Sequence, residues 1–371
     1  MLNFPRVHPR HLPRSPAALL CVFVCLSLLS WGCHDATSAH RPVQVELTGS
    51  TMGTYYRVKV ILPSGGDLAP DRRAGLTALI EGELDKVNRL MSTYVDDSEV
   101  SLFNDHRSTE PFAVSEETFV VIGEAIELGQ LTQGALDITV GPLVDAYGFG
   151  PDGALPEVAE SELRRLRARV GLHHLRLDAG VRTVAKDRSG VEIDLSSIAK
   201  GRAIDLVTEK LVSEGYSDLM VEVGGEIRVA GRNVLGKPWR LGIERPQASR
   251  GGVQRVIELE SGALATSGDY RNFRMIDGER VSHIIDPRTG RPISHWLASA
   301  SVVQPTCARA DGLATAFMVL GTETAWKLAK ENDIPALLLV RDGDGFIERA
   351  TPAFERRFPQ EGNRIPRPAP E

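Results

Sequence analysis

The chain has 371 residues, 42% of them apolar and 25% charged, which excludes a disordered or collagen-like polymer and leaves enough apolar side chain for a real core. Forty-three Lys and Arg against 49 Asp and Glu give a net charge of -6, which argues against nucleic-acid binding, a task usually met by basic chains. The length fits one large domain or two, and of the four cysteines only Cys307 lies in the body of the chain, so no disulfide framework is expected.

Arg6, Arg10 and Arg14 precede an apolar run from Ala17 to Leu29 that closes in Ser30-Trp31-Gly32-Cys33. A basic start, a short apolar stretch and a small residue at the cut describe a secretory signal over residues 1–32, too short for a spanning helix of about 20 residues. The Gly32-Cys33 ending resembles a bacterial lipoprotein signal, in which Cys33 becomes the lipidated first residue. The alternative is an ordinary cleaved signal that leaves Cys33 a stray thiol. More than one acyl chain would hold the protein firmly to a membrane. With His34 next, the resemblance is to the kind retained at the outer membrane. The expectation is an exported protein on the periplasmic side, lipid-anchored to a bacterial membrane. Losing residues 1–32 removes three positive charges and no negative one, taking the net charge from -6 to -9.

Residues 33–42 read as a polar tether. Val43 to Leu47 and Tyr56 to Val60 alternate apolar and polar side chains, the mark of half-buried strands, and Pro63 to Pro70 is a loop. Leu76, Leu79, Ile80, Leu84, Val87, Leu90 and Met91 recur at helical spacing. Ser115 can cap a second helix with Phe119, Ile122 and Ile126, and Ser161 a third with Leu163, Leu166 and Val170. A fourth runs from about Ser197 to Glu214, ended by Gly215. Strand signals then dominate from 218 to 305, around 219–223, 227–229, 239–243, 253–259, 281–285 and 298–303. Consecutive short strands favour an antiparallel sheet over a doubly wound one. Helices from about Arg309 to Leu320 and Thr322 to Lys330 and a buried strand from Ala336 to Val340 complete the pattern. The fold class is therefore α+β, a single large domain of two lobes over residues 43–350, with a largely antiparallel sheet packed with helices. Residues 351–371, rich in Pro and Arg, read as a fraying tail.

Gly148, Gly150 and Gly153 satisfy the dinucleotide spacing, but Pro151 stands inside and no helix opens from the loop, so the motif fails. No P-loop, nucleophile elbow or zincin motif is present, and scattered histidines make a zinc cluster improbable. More telling are acids and hydroxyls embedded in apolar segments. In the segment 308–320, apolar and small for most of its length, Asp311 and Thr315 stand four apart, so both oxygens share one helical face and suit a hard cation such as Mg²⁺. The alternative is that Asp311 caps the helix and Thr315 bonds back to a carbonyl. Asp194, Ser196, Ser197 and Lys200 stand at a strand-to-helix junction, where free N–H groups suit an anion, unless a serine there is simply the cap. Asp137 lies between apolar residues, and His283 ends a strand, where histidine is structural more often than catalytic but is also the side chain best suited to take a proton near neutral pH.

Taken together these segments resemble the ApbE family of FAD:protein FMN transferases. The matching stretches are Gly49 to Thr54, Met91 to Tyr94 with Asp97-Ser98-Glu99, Gly134 to Pro142, Asp194 to Gly201, Val223 to Glu226, Ala265 to Tyr270, Ser282 to Gly290 and Ala310 to Gly321, in order along the chain. The resemblance implies that Met52, Tyr94, Ala135, Leu136, Asp137, Asp194, Lys200 and Ile285 line an FAD site. It implies Mg²⁺ held by Asp311, Thr315 and the Ser197 backbone carbonyl, and His283 as a candidate base. Ser197 stands where alanine is common, and Arg202 replaces a frequent tyrosine.

The implied reaction is phosphoryl transfer: a threonine hydroxyl of a target protein attacks the FMN-side phosphorus of FAD and AMP leaves, with a divalent metal offsetting charge and Lys200 pairing with a phosphate oxygen. Implied acceptors are flavin-bearing subunits of sodium-translocating NADH:quinone reductase or Rnf-type complexes. Two alternatives remain open: an FAD pyrophosphatase in which water replaces the threonine, and a flavin-binding lipoprotein without chemistry, which leaves Asp311, Thr315 and His283 unexplained.

Overall fold

A computed structural model describes residues 41–63, 68–150, 158–247, 252–270, 273–276 and 279–360. The signal, nearly all of the tether, Cys33 and residues 361–371 of the tail lie outside the described residues.

Strands β1 (Val43–Thr51) and β2 (Thr54–Leu62) pair across a turn in which Met52 and Gly53 have φ of 49° and 70°. Helix α1 (Pro70–Met91) buries Leu76, Ile80, Leu84, Val87 and Met91 along one stripe, as its periodicity requires. Helix α2 (Glu99–Asp105), capped by Ser98, is too short to show a period in the sequence. After β3 (Phe112–Ala113), α3 (Glu116–Leu131) starts where expected, the Ser115 hydroxyl accepting the Thr118 N–H. Helix α4 (Gly141–Ala146) follows a single 3₁₀ turn. Helix α5 (Glu160–Arg167) begins at Ala159 without a side-chain cap, so Ser161 lies inside the helix and does not start it. Strands β4 (Leu175–Asp178) and β5 (Thr183–Lys186) join β3 in a small sheet, β5 in the middle. Helix α6 (Ala199–Ser213) leads into β6 (Leu219–Val223) and β7 (Glu226–Ala230).

A hairpin of β8 (Trp239–Glu244) and β9 (Val253–Leu259) precedes β10 (Ser261–Gly268). Two further hairpins, β11 (Phe273–Ile276) with β12 (Glu279–Ser282) and β13 (Ile285–Asp286) with β14 (Arg291–Pro292), come before β15 (Leu297–Gln304). The strand expected over 281–285 is thus broken at His283. Helices α7 (Cys307–Leu320) and α8 (Thr322–Glu331), strands β16 (Ala336–Asp342) and β17 (Gly345–Ala350) and helix α9 (Pro352–Arg357) end the described chain.

Eight strands form one antiparallel sheet in the order β1-β2-β6-β7-β10-β15-β16-β17. Neighbours in this order are successive strands, interrupted by three insertions: the helical lobe between β2 and β6, the β8–β9 hairpin between β7 and β10, and the β11–β14 hairpins between β10 and β15. The period of two separates the faces. Val58, Val221, Ala263 and Ala300 pack in one core with α1, α6 and α7, while Ile61, Met220, Leu264 and Val303 pack in a second with Trp239, Ile257 and Phe354. Phe354 is fully buried and Phe358 nearly so, and the Thr351 hydroxyl caps α9. The start of the expected tail is therefore part of the domain, because two aromatic rings close the second core. A third cluster of Leu143, Leu163, Leu166 and Ile285 holds α4, α5 and β13 together.

Candidate active site

A cleft of about 920 Å³ opens where the first and third insertions meet the N-terminal end of α6 and one face of α7. Its walls include Tyr94, Ala135, Leu136, Asp137, Asp194, Ser197, Lys200, His283, Ile285 and Thr315, which the sequence scatters over more than 200 residues. Asp311 is 2% exposed and stands behind Lys200. Met52 does not belong to this wall: it sits in the β1–β2 turn, half-buried against the main core.

The floor is the crossing of α6 and α7. Gly201 lies so close to the start of α7 that a Cβ there would sit 2.4 Å from the Cys307 carbonyl oxygen. Its amide, one of the first-turn N–H groups of α6 that have no carbonyl partner within the helix, donates to Asp311 Oδ2 at 3.1 Å. Ser197, two residues before that helix, lines the cleft. Lys200 Nζ stands 3.5 Å from Asp311 Oδ2 and 3.3 Å from Glu226 Oε1. Two buried carboxylates thus share one ammonium, and Glu226 Oε2 is buried without a hydrogen-bond partner. Burial, with Glu226 nearby, pushes Asp311 up to about 7 against the pull of Lys200. Burial opposes the charge on Lys200, yet the two acids hold it above the ordinary lysine value.

Asp311 does not cap its helix. Asp205, from α6, accepts the Cys307 and Ala308 N–H groups at 2.8 and 2.9 Å. Thr315 pairs with the Ser267 hydroxyl of β10 at 3.0 Å. Asp311 thus bonds across to the first turn of α6 and Thr315 across to β10, and both present oxygen, with Ser197 and Thr315 lining the same cleft. Among the described residues no three His, Cys, Asp or Glu side chains converge as metal ligands. The donor set suits a hard cation, which takes carbonyl, hydroxyl and carboxylate oxygen.

The upper wall is aromatic. The Tyr94 hydroxyl donates to the Phe149 carbonyl at 3.2 Å, and the Phe149 ring meets His283 edge-on with centroids 6.2 Å apart. Arg274 lies over the Phe149 ring and donates to the Gly148 carbonyl. Burial, followed by the fields of Asp194 and Asp145, raises the Tyr94 phenol above its usual value. The Asp194 carboxylate accepts the Ser196 N–H at 2.8 Å and fixes the turn into α6. Asp137 lines the wall, but its carboxylate is occupied by the Thr139 N–H, the Thr139 hydroxyl and the Leu172 N–H. It holds the loop. Asp96, Asp105, Asp145, Glu192 and Asp194 line the cleft against Arg107, Lys200 and Arg274, an acid-rich surround for an anionic ligand.

Arg202, which replaces a frequent tyrosine, points away from the cleft and binds Glu117 of α3 at 2.7 Å, a tie between helices. Sequence reading missed Ser267, Phe149, Glu226 and Asp205. The last stands in Ala203-Ile204-Asp205-Leu206-Val207, an acid embedded among apolar residues, the same signal that marked Asp137 and Asp311.

A family model described as the ApbE family matches residues 52–338. The chain is 48% identical to the FAD:protein FMN transferase of Vibrio cholerae, over 84% of this chain and 92% of that one. It is 38% identical to that of Salmonella typhimurium, over 90% and 96%. The solved flavin transferase ApbE of Vibrio cholerae superimposes with a TM-score of 0.77 at 47% identity, covering 85% of this chain and all of that one. The apo flavinyl transferase ApbE of Pseudomonas stutzeri gives 0.79 at 35% identity, covering 88% and 100%.

Proposed function

The chain belongs to the ApbE family, and on that footing we propose that it moves the FMN half of FAD onto a threonine hydroxyl of an acceptor protein, in a Mg²⁺-dependent phosphoryl transfer that releases AMP. The oxygen-rich foot of the cleft carries this reading: Asp311 reaches the first turn of α6 at the Gly201 amide, Ser197 and Thr315 line the cleft, and the Ser197 carbonyl, Asp311 and Thr315 would hold a hard cation. A divalent cation bound there would offset the negative charge that builds on the transferring phosphoryl group. The need is plain, because a dianionic pyrophosphate must otherwise enter a cleft with more acids than bases.

The chain's own residues do the rest. The cleft volume lies within the roughly 300–1,000 Å³ range of cofactor sites. Tyr94, the Ala135–Asp137 backbone and Ile285 shape the flavin-nucleotide wall, and Tyr94 is itself fixed by its bond to Phe149. Lys200 is held cationic beside the metal ligands and can pair with a phosphate oxygen. His283, at the break between β12 and β13, takes the proton of the incoming hydroxyl at its ring nitrogen. The bond formed is threonine oxygen to FMN phosphorus, and the bond broken is that phosphorus to the bridging oxygen, which leaves with AMP.

Residues 1–32, read as an export signal, and Cys33, read as a lipid attachment point, support an enzyme at the periplasmic face of a membrane, where it would meet acceptor subunits of sodium-translocating NADH:quinone reductase or Rnf-type complexes. Incubation with FAD, Mg²⁺ and such a subunit tests the transfer. Flavin fluorescence on the acceptor in a denaturing gel, in step with AMP, is expected; AMP with free FMN alone would show a hydrolase.

A further inference from the structure

Asp205 touches neither the cleft nor the proposed metal ligands, yet it is 1% exposed and fully engaged. One carboxylate oxygen accepts the Cys307 N–H at 2.8 Å, the other the Ala308 N–H at 2.9 Å, and Arg228 of β7 donates to the first at 2.7 Å. Cys307 and Ala308 are the first two residues of α7, and Asp311 lies one turn further on. Helix α7 has no cap from the residue before it, since the Thr306 side chain makes no capping bond. Asp205 is one turn beyond Gly201 on α6, and Gly201 is the point where the two helix backbones meet with no room for a side chain.

We propose that Asp205 is a positioning residue for the metal site: by capping α7 from α6 it fixes the rotation and advance of α7, so that Asp311 meets the Gly201 amide and stands beside the Ser197 carbonyl. The contact at Gly201 sets how close the helices come, and the main core holds the body of α7, but neither supplies acceptors for the free amides of its first turn. Two charge-assisted bonds to consecutive amides hold that turn in place. Arg228, which also reaches Glu209 at 3.1 Å, anchors the strut to the sheet. Groups that orient metal ligands without touching the metal typically alter affinity by about 10- to 100-fold.

This inference rests on the metal reading above, and the test separates the two. Mn²⁺ affinity and stoichiometry are measured on the whole protein, by electron paramagnetic resonance or calorimetry, for wild type, Asp311→Ala, Asp205→Asn, Asp205→Ala and Glu209→Gln. Wild type should bind and Asp311→Ala should not; equal binding by both overturns the metal site and the strut together. Given that difference, Asp205→Asn, which retains one acceptor oxygen and loses the charge, should weaken Mn²⁺ binding about tenfold and Asp205→Ala more, while Glu209→Gln stays within twofold of wild type. A variant that merely folds less well would bind fewer ions at an unchanged Kd, and that result, or Asp205→Asn within twofold of wild type, overturns the proposal. If Asp205→Ala does not fold, Asp205→Asn alone decides.

Discussion

Replacing Gly201 by Ala should be far more damaging than one methyl group in a helix suggests. In an ordinary helix interior the change favours Ala by about 1 kcal/mol. Here the new Cβ would stand 2.4 Å from the Cys307 carbonyl oxygen, 2.5 Å from its carbon and 2.6 Å from the Ala308 Cα, where ordinary contacts begin at 3.4 Å. All three neighbours are backbone, so relief requires α7 to retreat by about 1 Å from α6. That movement stretches the 3.1 Å Gly201 to Asp311 bond beyond hydrogen-bond range and pulls on both Asp205 caps. Overpacking of about 1–3 kcal/mol and a lost bond to a charged group of about 1.5–3 kcal/mol outweigh the propensity gain. A net loss of about 2–4 kcal/mol should appear in urea denaturation at unchanged slope. Turnover should fall by about 10²-fold, because misplacing reacting groups by 1 Å costs on that order. FAD affinity in EDTA, followed by flavin fluorescence, should change little, since Tyr94, Ala135 to Asp137 and Ile285 stand on other elements. A Gly201→Ala enzyme within 1 kcal/mol and threefold of wild type would refute the reasoning.

Removing the imidazole in His283→Ala should slow transfer by about 10²–10⁴-fold while FAD binding stays near wild type; an unchanged single-turnover rate would take His283 out of the mechanism. Lys186, fully buried, donates to the carbonyls of Phe103, Asn104 and Val191, and burial brings it down to about 8. Between that value and lysine's ordinary 10.5 the unfolded chain binds a proton that the native state has released, so stability should rise with pH across this window. Lys186→Met should flatten that rise and, by leaving three carbonyls unpaired, cost about 1–3 kcal/mol at pH 7; parallel pH curves for the two proteins would contradict it. Phe354→Ala should lose about 3–5 kcal/mol in thermal or urea unfolding if α9 closes the second core, and a loss under 1 kcal/mol would return these residues to the tail.

Much of the fold could be read because periodicity is local. The stripe from Leu76 to Met91 and the alternation in β1 and β2 are written in consecutive residues. What could not be read depends on distant partners. Helix α2 is shorter than two turns, β3 has two residues, and α9 is held by Phe354 meeting a hairpin about 100 residues earlier. In the site, embedded acids were visible, but their roles were not: Asp137 turned out to hold a loop, Asp205 to cap a neighbouring helix, and Asp311 to accept an amide from the first turn of α6. Each role is fixed by a contact across 30 or more residues, which spacing along one helix cannot express. The resemblance to the ApbE family supplied the grouping that the separate segments alone did not, and of the residues it implied for FAD only Met52 lies outside the lining of the cleft.

The most direct test of the account is a single mass-spectrometric experiment on an acceptor subunit incubated with the enzyme, FAD and Mg²⁺. The acceptor should gain the mass of FMN less water on one threonine, with one AMP per modified chain, and should gain nothing when EDTA replaces Mg²⁺ or Asp311→Ala replaces the enzyme. FMN addition that persists undiminished in EDTA, or AMP released with no mass gained by the acceptor, would contradict it.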